Sequence, residues 1–138
     1  MITGGRVTKV FGEKLKEDAV QQLSVNIDIT DLSFEGGLAK IAYVYAVKYE
    51  PGLAKIEVSG ELFFDEKASK DLKGSEEEWK KNKTVPQGIT EEVLSSVTYS
   101  GSAVGTLIAF SLNVGAPINV PKAKLAPLGD SKQEGKAG

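Results

Sequence analysis

The chain has 138 residues, a net charge of −2, 41% hydrophobic and 26% charged residues, which is the composition of an ordinary soluble globular domain. This balance lacks the strongly basic surface that nucleic-acid binding usually requires, so we predict no nucleic-acid partner. The sequence contains no cysteine and no histidine, which excludes disulfides, thiolate metal sites and histidine-based catalysis.

The first twenty residues leave two structures open. Residues 6–15, RVTKVFGEKL, place Val7, Val10 and Phe11 among charges, which fits either a short edge strand or an ordered arm. The same region has no continuous apolar stretch followed by a small-residue cleavage site. We therefore expect no secretory signal and a cytoplasmic location.

Strict alternation of apolar and polar residues predicts a half-buried strand at residues 23–30, LSVNIDIT. Leu32 and Phe34 then fall on the other parity, which indicates a bulge near Asp31 or a strand that crosses between environments. Two further strands are predicted at residues 38–50 and 53–64. The turns between them, Gly36-Gly37 and Pro51-Gly52, are short, so an antiparallel meander is expected.

A charged connector follows at residues 65–88, with a possible short helix over residues 75–81. Ser75 is the expected N-cap of that helix, with acidic residues in its first turn and lysines at its end. Trp79 is the one large apolar residue in the connector. It either pins the connector onto the core or belongs to a binding surface, because tryptophan is enriched at binding hot spots.

A long helix is predicted from about Thr90, its expected N-cap, to about Val114, before Gly115 and Pro117. The Pro-punctuated residues after it are expected to be extended. Residues 127–138 form a small polar tail that we predict to be disordered, which leaves residues 1–126 as a single domain.

The helix lies in a run without charge, since residues 93–120 contain no Asp, Glu, Lys or Arg. Its Ser, Thr and Asn content is too high for easy membrane insertion, and we predict no membrane span. Gly101, Gly105 and Ala109 lie four residues apart on one side, which permits close approach of another backbone. That side packs either on the chain's own sheet or on another subunit. We favour the subunit, because one small sheet covers one side of a helix, and take these three residues as the candidate subunit interface.

No motif that carries chemistry is present in the sequence. There is no phosphate-binding loop, no nucleophile elbow and no calcium-loop spacing. Glu57 and Glu61 share a strand face, but on a strand they lie about 13 Å apart, too far for paired-carboxylate catalysis. We predict no catalytic residues, no cofactor and no metal site, and we do not expect an enzyme.

The order of elements resembles the SecB-like chaperone family, including its small archaeal relatives. The resemblance covers about residues 6–127 and rests on four stretches: VNIDITDL, YVYAVKYEPGLAKIEVSGELFF, EEEWKKNKTVPQGITEEVLSSV and the tail segment GAPINVPKAKLAP. The chain departs from the bacterial pattern after Ala126, where it has a polar tail in place of a second helix. The acidic surface with which bacterial members dock a translocation motor is also not evident at a net charge of −2.

The resemblance implies an α+β fold, with an antiparallel meander sheet of about four strands and one long C-terminal helix packed on one face. It also implies a homo-oligomer, dimer or tetramer, whose subunits pair edge to edge with their helices between sheets. The implied activity is binding of non-native polypeptides along apolar grooves, without ATP. The candidate groove residues are Tyr43, Tyr45, Phe63 and Trp79. The alternatives are a structural or assembly subunit that binds no client and, less favoured, an enzyme of unrecognised type.

Overall fold

A computed structural model describes residues 1–117 of the chain. Four strands are followed by three helices: β1 (Ile2–Lys14), β2 (Gln22–Glu35), β3 (Leu38–Glu50), β4 (Ala54–Phe64), α1 (Glu66–Gly74), α2 (Glu76–Asn82) and α3 (Gln87–Leu112). The four-stranded antiparallel sheet and the long C-terminal helix confirm the predicted α+β fold class. The predicted extended segment beyond Pro117 and the polar tail at residues 127–138 lie outside the described residues.

The sheet has the strand order β1-β4-β3-β2, and every neighbouring pair is antiparallel. The predicted meander of β2, β3 and β4 is present, and β1 pairs with β4 at the opposite edge from β2. The first residues therefore form an edge strand rather than an arm. The connection from β1 to β2 crosses the end of the sheet, where the backbone N–H groups of Leu15 and Lys16 donate to the carbonyl oxygen of Leu53.

One face of the sheet, here called the helix side, carries the core. Alternate residues of β3 and β4 point into it and are almost fully buried: Ile41, Tyr43, Tyr45, Val47, Tyr49, Ile56, Val58, Leu62 and Phe64. On the opposite face of β3, half-buried Ala42, Val44 and Ala46 are flanked by Lys40 and Lys48. As predicted, β3 is a central strand, paired with β4 on one side and β2 on the other.

The predicted bulge near Asp31 is confirmed. The register of β2 against β3 shifts between Ile29 and Asp31, so that Ile29 pairs with Tyr43 and Asp31 pairs with Ala42. An extra residue in one strand reverses which side the following residues face. Leu32 consequently returns to the helix side, where it is 8% exposed.

The connector after β4 contains two helices, of which the sequence predicted one. In α1, the Asp65 carboxylate caps the helix by accepting from the Ala68 N–H at 2.9 Å. Ala68 and Leu72 are buried one turn apart, and the buried Ser69 hydroxyl accepts a 2.7 Å hydrogen bond from the Ala39 N–H of β3, so α1 is held on the sheet by apolar and polar contacts. The predicted helix near Ser75 is present as α2, with Ser75 at its N-cap, acidic residues in its first turn and lysines in its last, although the Ser75 side chain makes no capping hydrogen bond.

The long helix begins three residues earlier than predicted. Pro86, in an extended conformation, is the residue before α3, and Thr90 lies inside the first turns, where its hydroxyl donates to the Pro86 carbonyl oxygen. The helix ends at Leu112 because Asn113 adopts a left-handed conformation with φ 59°. The N–H groups of Asn113 and Val114 then satisfy the last carbonyls, so the chain has already turned before Gly115 and Pro117.

Burial of Tyr45 predicts a pH dependence of stability. Burial, with a smaller contribution from Tyr49, raises the pKa of Tyr45 from 10.0 to about 12. The folded chain therefore keeps a proton that the unfolded chain loses above pH 10.0. The free energy of unfolding is thus fully retained below that pH and falls as the pH rises towards 12. Urea titrations from pH 9 upward should show this fall, reduced in Tyr45→Phe and unchanged in the exposed control Tyr99→Phe.

Candidate functional site

The side of α3 that carries Gly101, Gly105 and Ala109 faces the chain's own sheet, so the prediction that it forms a subunit interface was wrong. A Cβ placed on Gly101 would lie 2.5 Å from the ring of Tyr45, and one on Gly105 would lie 3.2 Å from Pro117. Ala109 has no exposed surface. Position 101 therefore requires glycine, because the Tyr45 ring occupies the space of a side chain, whereas a Cβ at position 105 would be in tight contact with Pro117.

The four predicted groove residues do not form one open surface. Tyr43, Tyr45 and Trp79 are 2%, 1% and 5% exposed and belong to the core, so they cannot contact a client in this conformation. Phe63 lies on the opposite face of the sheet, half-buried, with the Arg6 guanidinium carbon 5.6 Å from its ring centroid. For Trp79, the alternative that it pins the connector onto the core is the correct one.

The side of α3 turned away from the sheet, here called the outer face, consists of Tyr99, Ala103, Leu107 and Phe110. Tyr99, Leu107 and Phe110 are 81%, 68% and 71% exposed and are the three most exposed large apolar side chains of the described residues. Residues 93–120 contain no charged side chain, so no charge near the outer face favours its exposure to water. Clusters of exposed apolar side chains are typical of interaction surfaces.

Four hydroxyl groups of α3 form their hydrogen bonds within the helix. Each of Ser100, Ser102, Thr106 and Ser111 donates to the carbonyl oxygen four residues earlier. A hydroxyl that is satisfied within its own helix needs no water or partner, so it can be placed against an apolar surface at small cost. The uncharged run can therefore pack against protein on more than one side.

The helix lies over β1, β4 and β3, where Gly101 meets the Tyr45 ring, and it makes little contact with β2. Near its beginning, Glu92 accepts a hydrogen bond of 2.7 Å from the Ile2 N–H of β1. Near its end, Ile108 and Leu112 cover Gly12 of β1 so closely that a Cβ there would meet both side chains. This placement leaves the helix side of β2 without a helix directly above it.

The uncovered part of β2 is apolar and half-buried. Its helix-side residues lie opposite buried residues of β3: Leu23 faces Tyr49, Val25 faces Val47, Ile27 faces Tyr45 and Ile29 faces Tyr43. All four are only partly covered and pack against the margin of the core. Among the described residues, β2 also has no hydrogen-bonded neighbour on its outer edge.

A cleft of about 590 Å³ runs between β2 and the start of α3. We call it the β2 cleft; it is lined by Ile27, Asp28 and Ile29 of β2, by Lys83, Thr84 and Val85 of the loop before α3, and by Gln87, Thr90 and Leu94 of α3. Ile27, Ile29, Val85 and Leu94 make it largely apolar, with polar groups at its rim. None of these residues was predicted from the sequence to have a binding role, because the cleft depends on where α3 crosses the sheet.

By length and composition, α3 is also able to span a membrane, since its most apolar window has a mean hydropathy of 1.4. One such helix is weak support for a membrane span, because the core helix of a soluble protein meets the same criterion. Here a row of buried residues at four-residue spacing, from Ile89 to Ala109, packs on the sheet. The absence of a membrane span stays a prediction.

Comparison with known proteins returned no family model, no curated protein and no solved structure that matches the chain. Within residues 1–117, no group of three acidic, histidine or cysteine side chains is placed to hold a metal ion. The interpretation of function therefore depends on two surfaces: the outer face of α3 and the β2 cleft.

Proposed function

We propose that the chain is an oligomeric, ATP-independent polypeptide-binding protein, a SecB-like chaperone or holdase that binds non-native polypeptides in the β2 cleft. The observation that carries the proposal is the row of half-buried apolar residues on an edge strand that α3 leaves uncovered. An apolar channel beside a free strand edge suits a ligand that offers both a backbone and apolar side chains. An unfolded polypeptide has both.

The binding mode follows from the geometry of an edge strand. An extended client can hydrogen-bond to the outer edge of β2, while every second side chain of the client points towards the helix side. Those side chains would enter the β2 cleft beside Ile27, Ile29 and Leu94. Backbone hydrogen bonds do not depend on the sequence of the client. Burial of apolar area contributes about 25 cal/mol per Å² whichever apolar side chain supplies it, so the site would accept many sequences.

Assembly of the chain would use the outer face of α3. If Tyr99, Leu107 and Phe110 pack against the same face of a second copy, the apolar side chains of both helices are removed from water. No charge is buried, because neither helix carries one there. The edge of β1 offers a second contact, since Val7 and Val10 are 40% and 49% exposed beside α3. A dimer or tetramer with helices between sheets is the arrangement that the family resemblance implies.

The order of elements supports the proposal at the level of fold alone, because one fold serves many functions. A structural or assembly subunit that binds no client is the second candidate, and the outer face of α3 favours it as much as the first. The β2 cleft distinguishes the two candidates, since a scaffold has no need of it. The cytoplasmic location and the lack of enzyme activity stay predictions.

Suppression of aggregation by cleft variants tests the proposal. We expect wild-type protein, without nucleotide, to reduce light scattering by a chemically denatured test protein. Ile27→Asp and Leu94→Asp place an unpaired charge in an apolar channel, which should weaken binding of the denatured protein at least about tenfold, or 1.4 kcal/mol. Binding is measured with a fluorescently labelled, permanently unfolded polypeptide.

Asn26→Asp is the matched control, because Asn26 is exposed, adjoins Ile27 on the same strand and faces the other side of the sheet. It should bind the unfolded polypeptide as wild type does. Circular dichroism of each variant separates loss of binding from loss of fold. Folded cleft variants with unchanged affinity would refute the cleft as the site, and no binding by wild type would favour the scaffold.

A further inference from the structure

We propose that the chain has a second ligand site, which binds a neutral, flat, largely apolar molecule that carries one hydroxyl group. The site is a cavity of about 290 Å³ between β1 and α3, here called the β1 cavity. It lies between Ile2 and Val7 of β1, over Leu62 of β4 and under Ser96 and Ser100 of α3. It shares no lining residue with the β2 cleft, so the inference does not depend on the proposed function.

The β1 cavity exists because small residues face each other across it. Gly5 pairs with Leu62, which is buried on the helix side of β4, so position 5 of β1 faces α3 without a side chain. Ser96 and Ser100 line the cavity from α3, and both have short side chains. The sheet and the helix are therefore separated here by a flat space instead of by interlocking side chains.

The hydroxyl group of Tyr43 opens into the β1 cavity. Tyr43 lies opposite Gly60 of β4, where a Cβ would collide with the tyrosine hydroxyl, so the missing side chain lets Tyr43 reach across β4 towards β1. Tyr43 is 2% exposed, yet its hydroxyl has no hydrogen-bond partner among residues 1–117. Every fully enclosed side-chain nitrogen and oxygen of those residues does have a partner, so this hydroxyl must be open to the cavity that Tyr43 lines. It is therefore available to a ligand.

No charged group of the described residues enters the β1 cavity. Arg6 is the one charged residue that lines it, but Arg6 pairs with Glu61 on the opposite face of the sheet. There the Arg6 guanidinium group lies 2.8 Å from the Glu61 carboxylate, so only the backbone of Arg6 borders the cavity. A charged ligand would be buried without a counterion, and the cavity therefore favours a neutral one.

The size and the polar groups of the β1 cavity define the ligand further. The Ser100 hydroxyl donates to the Ser96 carbonyl oxygen at 3.2 Å, so Ser100 Oγ is left as an acceptor, while the Tyr43 hydroxyl is free to donate. A ligand hydroxyl can thus accept from Tyr43 and donate to Ser100. An apolar cavity of about 150 Å³ is large enough for benzene, so about twice that volume admits two fused rings.

Titration of the full chain with three naphthalene compounds tests the site. The compound 2-naphthol has the two rings and the hydroxyl, naphthalene lacks the hydroxyl, and 2-naphthoate carries a charge. Backbone amide chemical shifts, followed by NMR, locate each compound and give its dissociation constant. We expect 2-naphthol to shift the amides of Gly5, Ser96 and Ser100 saturably. Naphthalene should bind there about fivefold more weakly, and 2-naphthoate at least about tenfold more weakly.

Three variants separate the hydroxyl from the cavity. Tyr43→Phe keeps the ring, so its affinity for 2-naphthol should fall to the wild-type value for naphthalene, while its affinity for naphthalene stays unchanged. Ser96→Leu fills the cavity and should abolish binding of both compounds. Ser95→Leu is its matched control, because Ser95 is exposed on the same helix outside the cavity.

Equal affinities of the wild type for 2-naphthol and naphthalene would overturn the role of the hydroxyl. Chemical-shift changes confined to the outer face of α3 or to the β2 cleft, or no saturable change, would overturn the site. If Ser96→Leu does not fold, the comparison of Tyr43→Phe with wild type decides the outcome alone.

Discussion

Replacing Gly101 with leucine is expected to destabilise the protein by about 3 kcal/mol and to lower Tm by about 10 °C. The Cβ alone would lie 2.5 Å from the Tyr45 ring, and Tyr45 is 1% exposed, so the ring has no free space into which it can turn. The helix must then lift away from the sheet, which also disturbs Val97 and Ala109, both without exposed surface. Thermal and urea denaturation measure the loss.

Two glycines of the same helix provide graded controls for this variant. Gly105→Ala should be close to neutral, because its Cβ would lie 3.2 Å from Pro117 and a small shift accommodates it. No atom lies within 4 Å of a Cβ on Gly88, so Gly88→Ala should stabilise the helix by up to about 1 kcal/mol. A Gly101→Leu protein as stable as wild type would contradict the packing of α3 on Tyr45.

Replacing both Leu107 and Phe110 with lysine is expected to convert the proposed oligomer into a folded monomer. Both side chains are about 70% exposed in a single chain, at 68% and 71%, so the substitution costs little within the subunit. In an assembly that buries the outer face, each subunit would place two charges in an apolar contact, which opposes association strongly. Light scattering should report a two- to four-fold lower mass than wild type, with an unchanged far-ultraviolet spectrum.

Glu91→Lys is the matched control for this pair of substitutions. Glu91 is exposed on α3 but precedes the uncharged run, so reversal of its charge should leave the mass unchanged. A wild-type mass equal to that of one chain at all concentrations would contradict assembly through the outer face. A lysine variant that keeps the wild-type mass would move the interface elsewhere, with the edge of β1 as the next surface to examine.

Strands β2, β3 and β4 were largely predictable from sequence, because the patterns that indicate them lie within each strand and in the short turns between them. Alternation places Leu23, Val25, Ile27 and Ile29 on one side of β2, and the change of parity at Leu32 marks the bulge that the structure contains. Short glycine turns then fix antiparallel pairing without knowledge of the rest of the chain. The pairing of β1 with β4 was not predictable in this way, because it joins residues about fifty positions apart.

The sequence misjudged α3 because two properties of the helix were assigned to one surface. The glycine row indicates close approach, and the missing charges indicate protein on the remaining sides. In the structure Gly101 and Gly105 approach the sheet, whereas Tyr99, Leu107 and Phe110 lack a cover. Periodicity gives the spacing of a contact stripe but not the identity of what it contacts.

The groove residues were misjudged for a related reason. Aromatic residues on the apolar face of a central strand are suitable both for a core and for a groove, and the structure places Tyr43 and Tyr45 in the core. The β2 cleft arises because α3 lies over β1 and β4, as the contacts of Glu92 and Ile108 show. The position of α3 over the sheet is set by tertiary packing, so no local pattern in β2 indicates that its helix side stays uncovered.

Binding of a polypeptide at the edge of β2 can be measured by hydrogen exchange of the protein with and without a permanently unfolded polypeptide. We expect a saturating polypeptide to slow amide exchange along the outer edge of β2 and in the loop of Lys83, Thr84 and Val85, while exchange on the outer face of α3 is unchanged. The same pattern should appear without nucleotide or metal. Protection confined to β1 or α3, or no protection at a concentration that saturates a control chaperone, would contradict it.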